Sequence, residues 1–128
     1  MTTKSQTQSY YIAGGSTGVL LLHGLCGSPT EMRFVANAMA RAGHTVYCPQ
    51  LAGHCGSEDE LKASTWQDWF ASAEAALAEM RKTCSSVIVG GLSTGALLAL
   101  KLAADRPDDV QGLALFTPTL WLNGFQIP

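Results

Sequence analysis

The sequence predicts an α/β fold built on a mostly parallel, doubly wound sheet. Short apolar runs alternate with stretches of helical period along most of the chain, which is the rhythm of βαβ units. Val19–Leu22 is continuously apolar, as a strand buried on both faces is. Two Gly-containing segments, at His23-Gly24-Leu25 and around Ser93, close such runs at their carboxyl ends, where parallel sheets bind ligands.

At 128 residues the chain is one domain at most, long enough for a single core. Apolar residues make up 47% and charged residues only 14%, which excludes a disordered chain. So low a charge fraction means that much of the chain is buried, or that part of a normal covering surface is missing. The net charge of −2, with no basic cluster, gives no reason to expect nucleic acid as a partner.

In chain order, residues 1–9 are polar and read as a flexible tail, and residues 10–128 as part of one domain. No basic segment followed by an apolar one marks a signal peptide, and no apolar run is long enough to span a bilayer, so the cytoplasm is the expected location. Tyr10-Tyr11-Ile12-Ala13 reads as a short strand ended by Gly14-Gly15, and Val19–Leu22 as the next. Ser28 is the expected cap of a helix opened by Pro29, with Met32, Val35, Ala36, Met39 and Ala40 at helical spacing and Gly43 as its stop. Thr45–Cys48 forms a strand closed by Pro49, and Gln50 to Lys62 a loop. Ser64 or Thr65 caps a second helix to about Lys82, with Trp66, Trp69, Phe70, Ala73, Leu77 and Met80 on its apolar positions. The strand Val87-Ile88-Val89-Gly90 leads through Gly91–Gly95 into a third helix, ended by Pro107. That helix is apolar nearly all round and so packs on more than one side. Val110–Phe116 is the last strand, ended by Thr117-Pro118.

Gly91-Leu92-Ser93-Thr94-Gly95, between a strand and a helix, has the context of a nucleophile elbow. A serine hydroxyl is a poor nucleophile at neutral pH. It needs exposure on a sharp turn, a nearby base and donors for the charge that develops. Side chains at positions 91 and 95 would collide with the neighbouring strand or helix, which is what glycine avoids. A dinucleotide-binding loop would need G-x-G-x-x-G, but Leu92 fills the middle glycine position of the frame begun at Gly90. The Gly-Lys-Ser/Thr ending of a P-loop is absent as well. His44, Cys48, His54 and Cys55 fit no common zinc spacing, and neither metal nor cofactor is expected. The four cysteines contain no C-x-x-C pair and read as reduced, small apolar residues.

The chain resembles the α/β-hydrolase superfamily, and within it the small carboxylesterases and monoacylglycerol-lipase-like serine esterases. The residues that carry the resemblance are Val19–Ser28, Pro49–Gly56, Trp66-Gln67-Asp68-Trp69 and Gly90–Gly95, in the family's order. The resemblance implies Ser93 as the nucleophile of an acyl-enzyme mechanism. It implies the backbone N–H groups of Leu25 and Thr94 as the oxyanion hole, with His23, Gly24, Gly91 and Gly95 in support. Thr94 replaces the bulkier residue common at that position, but the role asks only for its N–H. A small acyl ester is the implied substrate.

The family order continues with an acid and then a histidine. After Ser93 the only acids are Asp105, Asp108 and Asp109, and no histidine follows. The resemblance therefore corresponds to the N-terminal half of an esterase, truncated after about the family's sixth strand, with base and acid outside the sequence. His23 and His54 match family positions of structural type, and His44 precedes a strand away from the site. The missing histidine leaves one alternative, a non-catalytic fragment or binding protein; a half-sheet leaves another, a chain that self-associates through its open sheet edge and uncovered apolar face.

Overall fold

A computed structural model describes residues 7–120. Five strands form one sheet: β1 (Tyr10–Ile12), β2 (Thr17–Leu22), β3 (Thr45–Cys48), β4 (Ser86–Leu92) and β5 (Gly112–Phe116). Their spatial order is β1-β3-β2-β4-β5, parallel except for β1, which pairs antiparallel with β3. The chain leaves β2 toward β3 on one side, then crosses to β4 on the other. Strand order thus reverses between β2 and β4, and a crevice opens beyond their carboxyl ends at such a switch point.

Helices cover both faces. A 3-10 turn (Pro29–Met32) leads into α1 (Arg33–Arg41) on one face, where Met32 and Ala36 pack on Val19, Leu21 and Val46. A short helix, α2 (Glu58–Ala63), follows β3. On the other face α3 (Trp66–Arg81) and α4 (Thr94–Asp105) bury Phe70, Ala73, Leu77, Met80, Leu98, Ala99 and Leu102 against Leu20, Leu22, Val87 and Val89. The alternation of Val19 and Leu21 with Leu20 and Leu22 between these two clusters makes β2 buried on both sides, as its apolar run predicts. Gly43, at φ +96°, ends the α1 segment in the left-handed conformation that glycine adopts cheaply.

Several local expectations need correction. Ser28 makes no capping hydrogen bond; the chain enters through the 3-10 turn opened by Pro29, whose ring removes one of the donors a cap would satisfy. The segment 50–62 is not all loop, because α2 forms within it. Ser57 accepts the N–H of Glu60 and three acids fill its first turn, which offsets the exposed backbone donors there. None of its residues is buried, so no apolar period announces it. Trp66 stands half exposed rather than in the core, and α4 leaves Leu100 at its surface. The last strand begins at Gly112, two positions after Val110.

On the α1 face the sheet is less completely covered. An apolar groove of about 190 Å³ runs between α1 and the β4–β5 edge, lined by Val35, Met39, Ile88, Gly90, Ala114 and Phe116. No helix among the described residues is long and apolar enough to cross a membrane.

Candidate active site

Ser93 stands between the last residue of β4 and the first of α4, with φ +56° and ψ −115°. A non-glycine residue in that conformation is strained, and such positions persist only where the surroundings over-determine them. Three contacts do so here. The N–H of Ser93 donates to the carbonyl of Phe116 at 2.9 Å. A side chain on Gly91 would run into the backbone of Gly95 and Ala96, closing the turn tightly. A side chain on Gly95 would run into the carbonyls of Leu22 and His23 at the end of β2. Both glycines are therefore required by backbone approach, as the motif predicts.

The loop after β2 lies across from this turn. A β-carbon built on Gly24 would sit 3.7 Å from the β-carbon of Ser93 and 3.4 Å from the carbonyl oxygen of Leu92, so the two loops meet at one rim of the sheet. Gly24 itself needs no glycine conformation. The residue that turns the loop is Cys26, at φ +63°, with Gly27 N–H donating to Gly24 C=O at 3.0 Å. The positive φ at the third residue is that of a type II turn, normally a glycine position. The N–H groups of Leu25 and Thr94 meet no acceptor among the described residues, and Thr94 opens α4, where backbone donors are left over and the helix dipole is positive.

His23 holds this loop from beneath. It is fully buried; Nδ1 donates to Gly24 C=O at 2.9 Å and Nε2 accepts Leu51 N–H at 3.1 Å. An acceptor on one nitrogen and a donor on the other fix the neutral tautomer. Burial pushes its pKa below the ordinary value, and the neighbouring His54 adds to that, while the bond to Gly24 and the Glu31 carboxylate oppose it. His54, also buried, donates from Nδ1 to Ala52 C=O at 3.0 Å and packs edge-on between His23 and Trp69. His44 precedes β3, at the amino end of the sheet, away from Ser93. His23 is thus committed at both ring nitrogens and His44 is out of reach, while His54 is committed at Nδ1 and its buried Nε2 has no hydrogen-bond partner among the described residues. The acids after Ser93 are equally remote: Asp105 pairs with Lys101 at the far end of α4, and Asp109 with Arg81.

Three features near the Ser93 rim carry no motif in the sequence. Thr119 Oγ1 lies 2.9 Å from Ser93 Oγ. Glu31 accepts Gly24 N–H at 3.1 Å. A cleft of about 530 Å³ opens beside the loop, between Cys26–Ser28 and Gly53–Glu58, with Glu31 and Glu58 on its walls; Ser93 does not line it. The Thr119 contact and the cleft depend on chain segments far apart in sequence. Only Glu31 had a local signal, its place in the first turn after Ser28.

Residues 16–127 match the family described as serine aminopeptidase, S33. The chain belongs to this family. This S33 chain is 40% identical over 104 residues to the thermostable monoacylglycerol lipase of Bacillus sp. (strain H-257), covering 81% of this chain and 42% of that protein. It is 30% identical over 95 residues to the carboxylesterase of Bacillus subtilis (strain 168), covering 73% and 39%. A solved structure reported for LipS and LipT, two metagenome-derived lipolytic enzymes, superposes with a TM-score of 0.87 at 37% identity, over 91% of this chain and 47% of that one. The S33 chain thus has the α/β-hydrolase fold and spans less than half the length of these relatives.

Proposed function

We propose that this S33-family protein hydrolyses carboxylic esters through an acyl-enzyme formed on Ser93. The observation that carries the reading is the strained strand-to-helix turn at Ser93, facing the loop of Leu25. Ser93 Oγ attacks the ester carbonyl carbon and gives its proton to a general base. The tetrahedral oxyanion accepts from Leu25 N–H and Thr94 N–H. Its collapse expels the alcohol, which takes the proton back from the base, and water then releases the acid from the acyl-serine.

The base and the acid that orients it are assigned, in this reading, to residues outside positions 1–128. The neutral His23, hydrogen-bonded at both nitrogens, and His44 at the amino end of the sheet support that assignment. Relatives named as a monoacylglycerol lipase and a carboxylesterase support carboxylic esters as the substrate class, monoacylglycerols among them. The test is hydrolysis of p-nitrophenyl esters by the full-length protein, with the residues assigned as base and acid, and by its Ser93→Ala variant. Loss of turnover in the variant is expected, and turnover that survives it would remove Ser93 from the mechanism.

A further inference from the structure

Ser93 is tied once to the last residue of β5 and once to the segment that follows it. Its backbone N–H bonds Phe116 C=O at 2.9 Å, and its Oγ lies 2.9 Å from Oγ1 of Thr119. Between those two anchor points the chain makes an abrupt turn. Thr117 has φ +43°, a conformation that costs a β-branched residue dearly, and Pro118 follows with its own φ locked. Strain of this kind is retained where it aims a group. The group aimed here is the Thr119 hydroxyl, half-buried against the reacting oxygen.

A serine hydroxyl has one proton to give and two lone pairs. If its proton is directed at a base, a lone pair remains for a donor. Thr119 can be that donor. Its hydroxyl would select one rotamer of Ser93 and stay bonded to Oγ as negative charge builds on the oxygen during proton loss. A neutral methyl at the same place could do neither. We propose that Thr119 is a further member of the catalytic machinery, donating to Ser93 Oγ and holding it for attack. The proposal rests on the ester-hydrolase reading of Ser93 for its role, and on the hydroxyl pair for its geometry.

Two measurements separate those parts. The first needs no turnover: melting temperatures of the protein, Ser93→Ala, Thr119→Val and the double variant. A bonded pair predicts that the double variant melts no lower than the worse single variant, because either change alone removes the same bond. Additive losses would overturn the pair and the proposal with it. The second is the rate of labelling by a fluorophosphonate probe, with kcat and KM for a p-nitrophenyl ester. Thr119→Val should slow labelling and lower kcat by roughly three- to ten-fold, the worth of one neutral hydrogen bond, with KM little changed. Thr119→Ser, which keeps the donor, should keep most of the rate. An unchanged rate in Thr119→Val, or an equal loss in Thr119→Ser, would overturn the role. Full-length protein, carrying the residues assigned as base and acid, that takes no label at all would remove the hydrolase reading and the catalytic role together, while the melting series still decides the pair.

Discussion

The imidazole of His23 joins two loops that are 28 residues apart in sequence: Nε2 accepts Leu51 N–H at 3.1 Å. The same ring donates to Gly24 C=O from Nδ1, so the loop after β2 and the loop after β3 hang on one neutral side chain. A protonated ring would lose the Leu51 bond, since both nitrogens would then be donors.

This sets a pH dependence of stability. The unfolded ring takes its proton at the ordinary value of 6.5, and the folded ring at a lower pH, chiefly because it is buried. Between those points the unfolded chain holds the extra proton, so stability falls as pH drops below 6.5 until the folded ring also titrates. Above that value the ring is neutral in both states and adds no slope. Melting temperatures from about pH 8 to about pH 5 should fall more steeply for the native protein than for His23→Gln. Parallel curves would remove His23 as the cause.

The glycines around the site should differ sharply in tolerance. Gly95→Ala drives a methyl group into the carbonyls of Leu22 and His23, backbone that cannot move aside, and should cost about 3 kcal/mol. Gly24→Ala meets nothing nearer than 3.4 Å, and its backbone is not left-handed, so it should cost under about 1 kcal/mol. Denaturant unfolding of the two variants measures the difference, and equal losses would contradict this account of the turn.

Helix N-termini offer a second contrast. Thr65 and Asp68 form a reciprocal capping box at the start of α3, so Thr65→Ala should lose about 1 kcal/mol. Ser28→Ala should be silent in the same unfolding experiment, because Ser28 caps nothing. A Ser28 loss equal to that at Thr65 would contradict the uncapped 3-10 opening.

The thiols should alkylate in a fixed order. Cys26 is exposed, whereas Cys48 is buried and its thiol is pushed up to about 11, mainly by burial. At about pH 8 almost none of Cys48 is thiolate, so iodoacetamide should modify Cys26 first and reach Cys48 only on unfolding. Peptide mapping after brief exposure reads this directly, and early modification of Cys48 would count against its burial.

What the sequence made legible follows from where each cause is local. The β4–Ser93–α4 junction was readable because its glycines, its strand and its helix are contiguous, and α3 because Thr65, Asp68 and the Phe70-Ala73-Leu77-Met80 spacing all agree. Helix α2 was missed because it buries nothing, although Ser57 and Glu60 stand at capping-box spacing and Glu58 pairs with Lys62. The turn at Cys26 could not be read, since a cysteine gives no sign of a left-handed conformation that glycine usually takes. Thr119 was invisible for a different reason. It is brought to Ser93 only by the pairing of β5 with β4, and nothing in either segment announces the other.

That pairing fixes a ruler. Leu92 stands opposite Phe116 in the parallel ladder, so the count of residues from there to Thr119 decides how far along the rim its hydroxyl lands. One residue inserted within Gly112–Phe116 would advance everything after it by about 3.3 Å, more than the reach of a hydrogen bond, and would turn alternate side chains to the wrong face. An insertion in the surface connection at residues 106–109 would be absorbed before Val110 and Gln111 rejoin the core and β4. Length variation among natural versions of this chain should therefore be confined to that connection and excluded from the strand beside it.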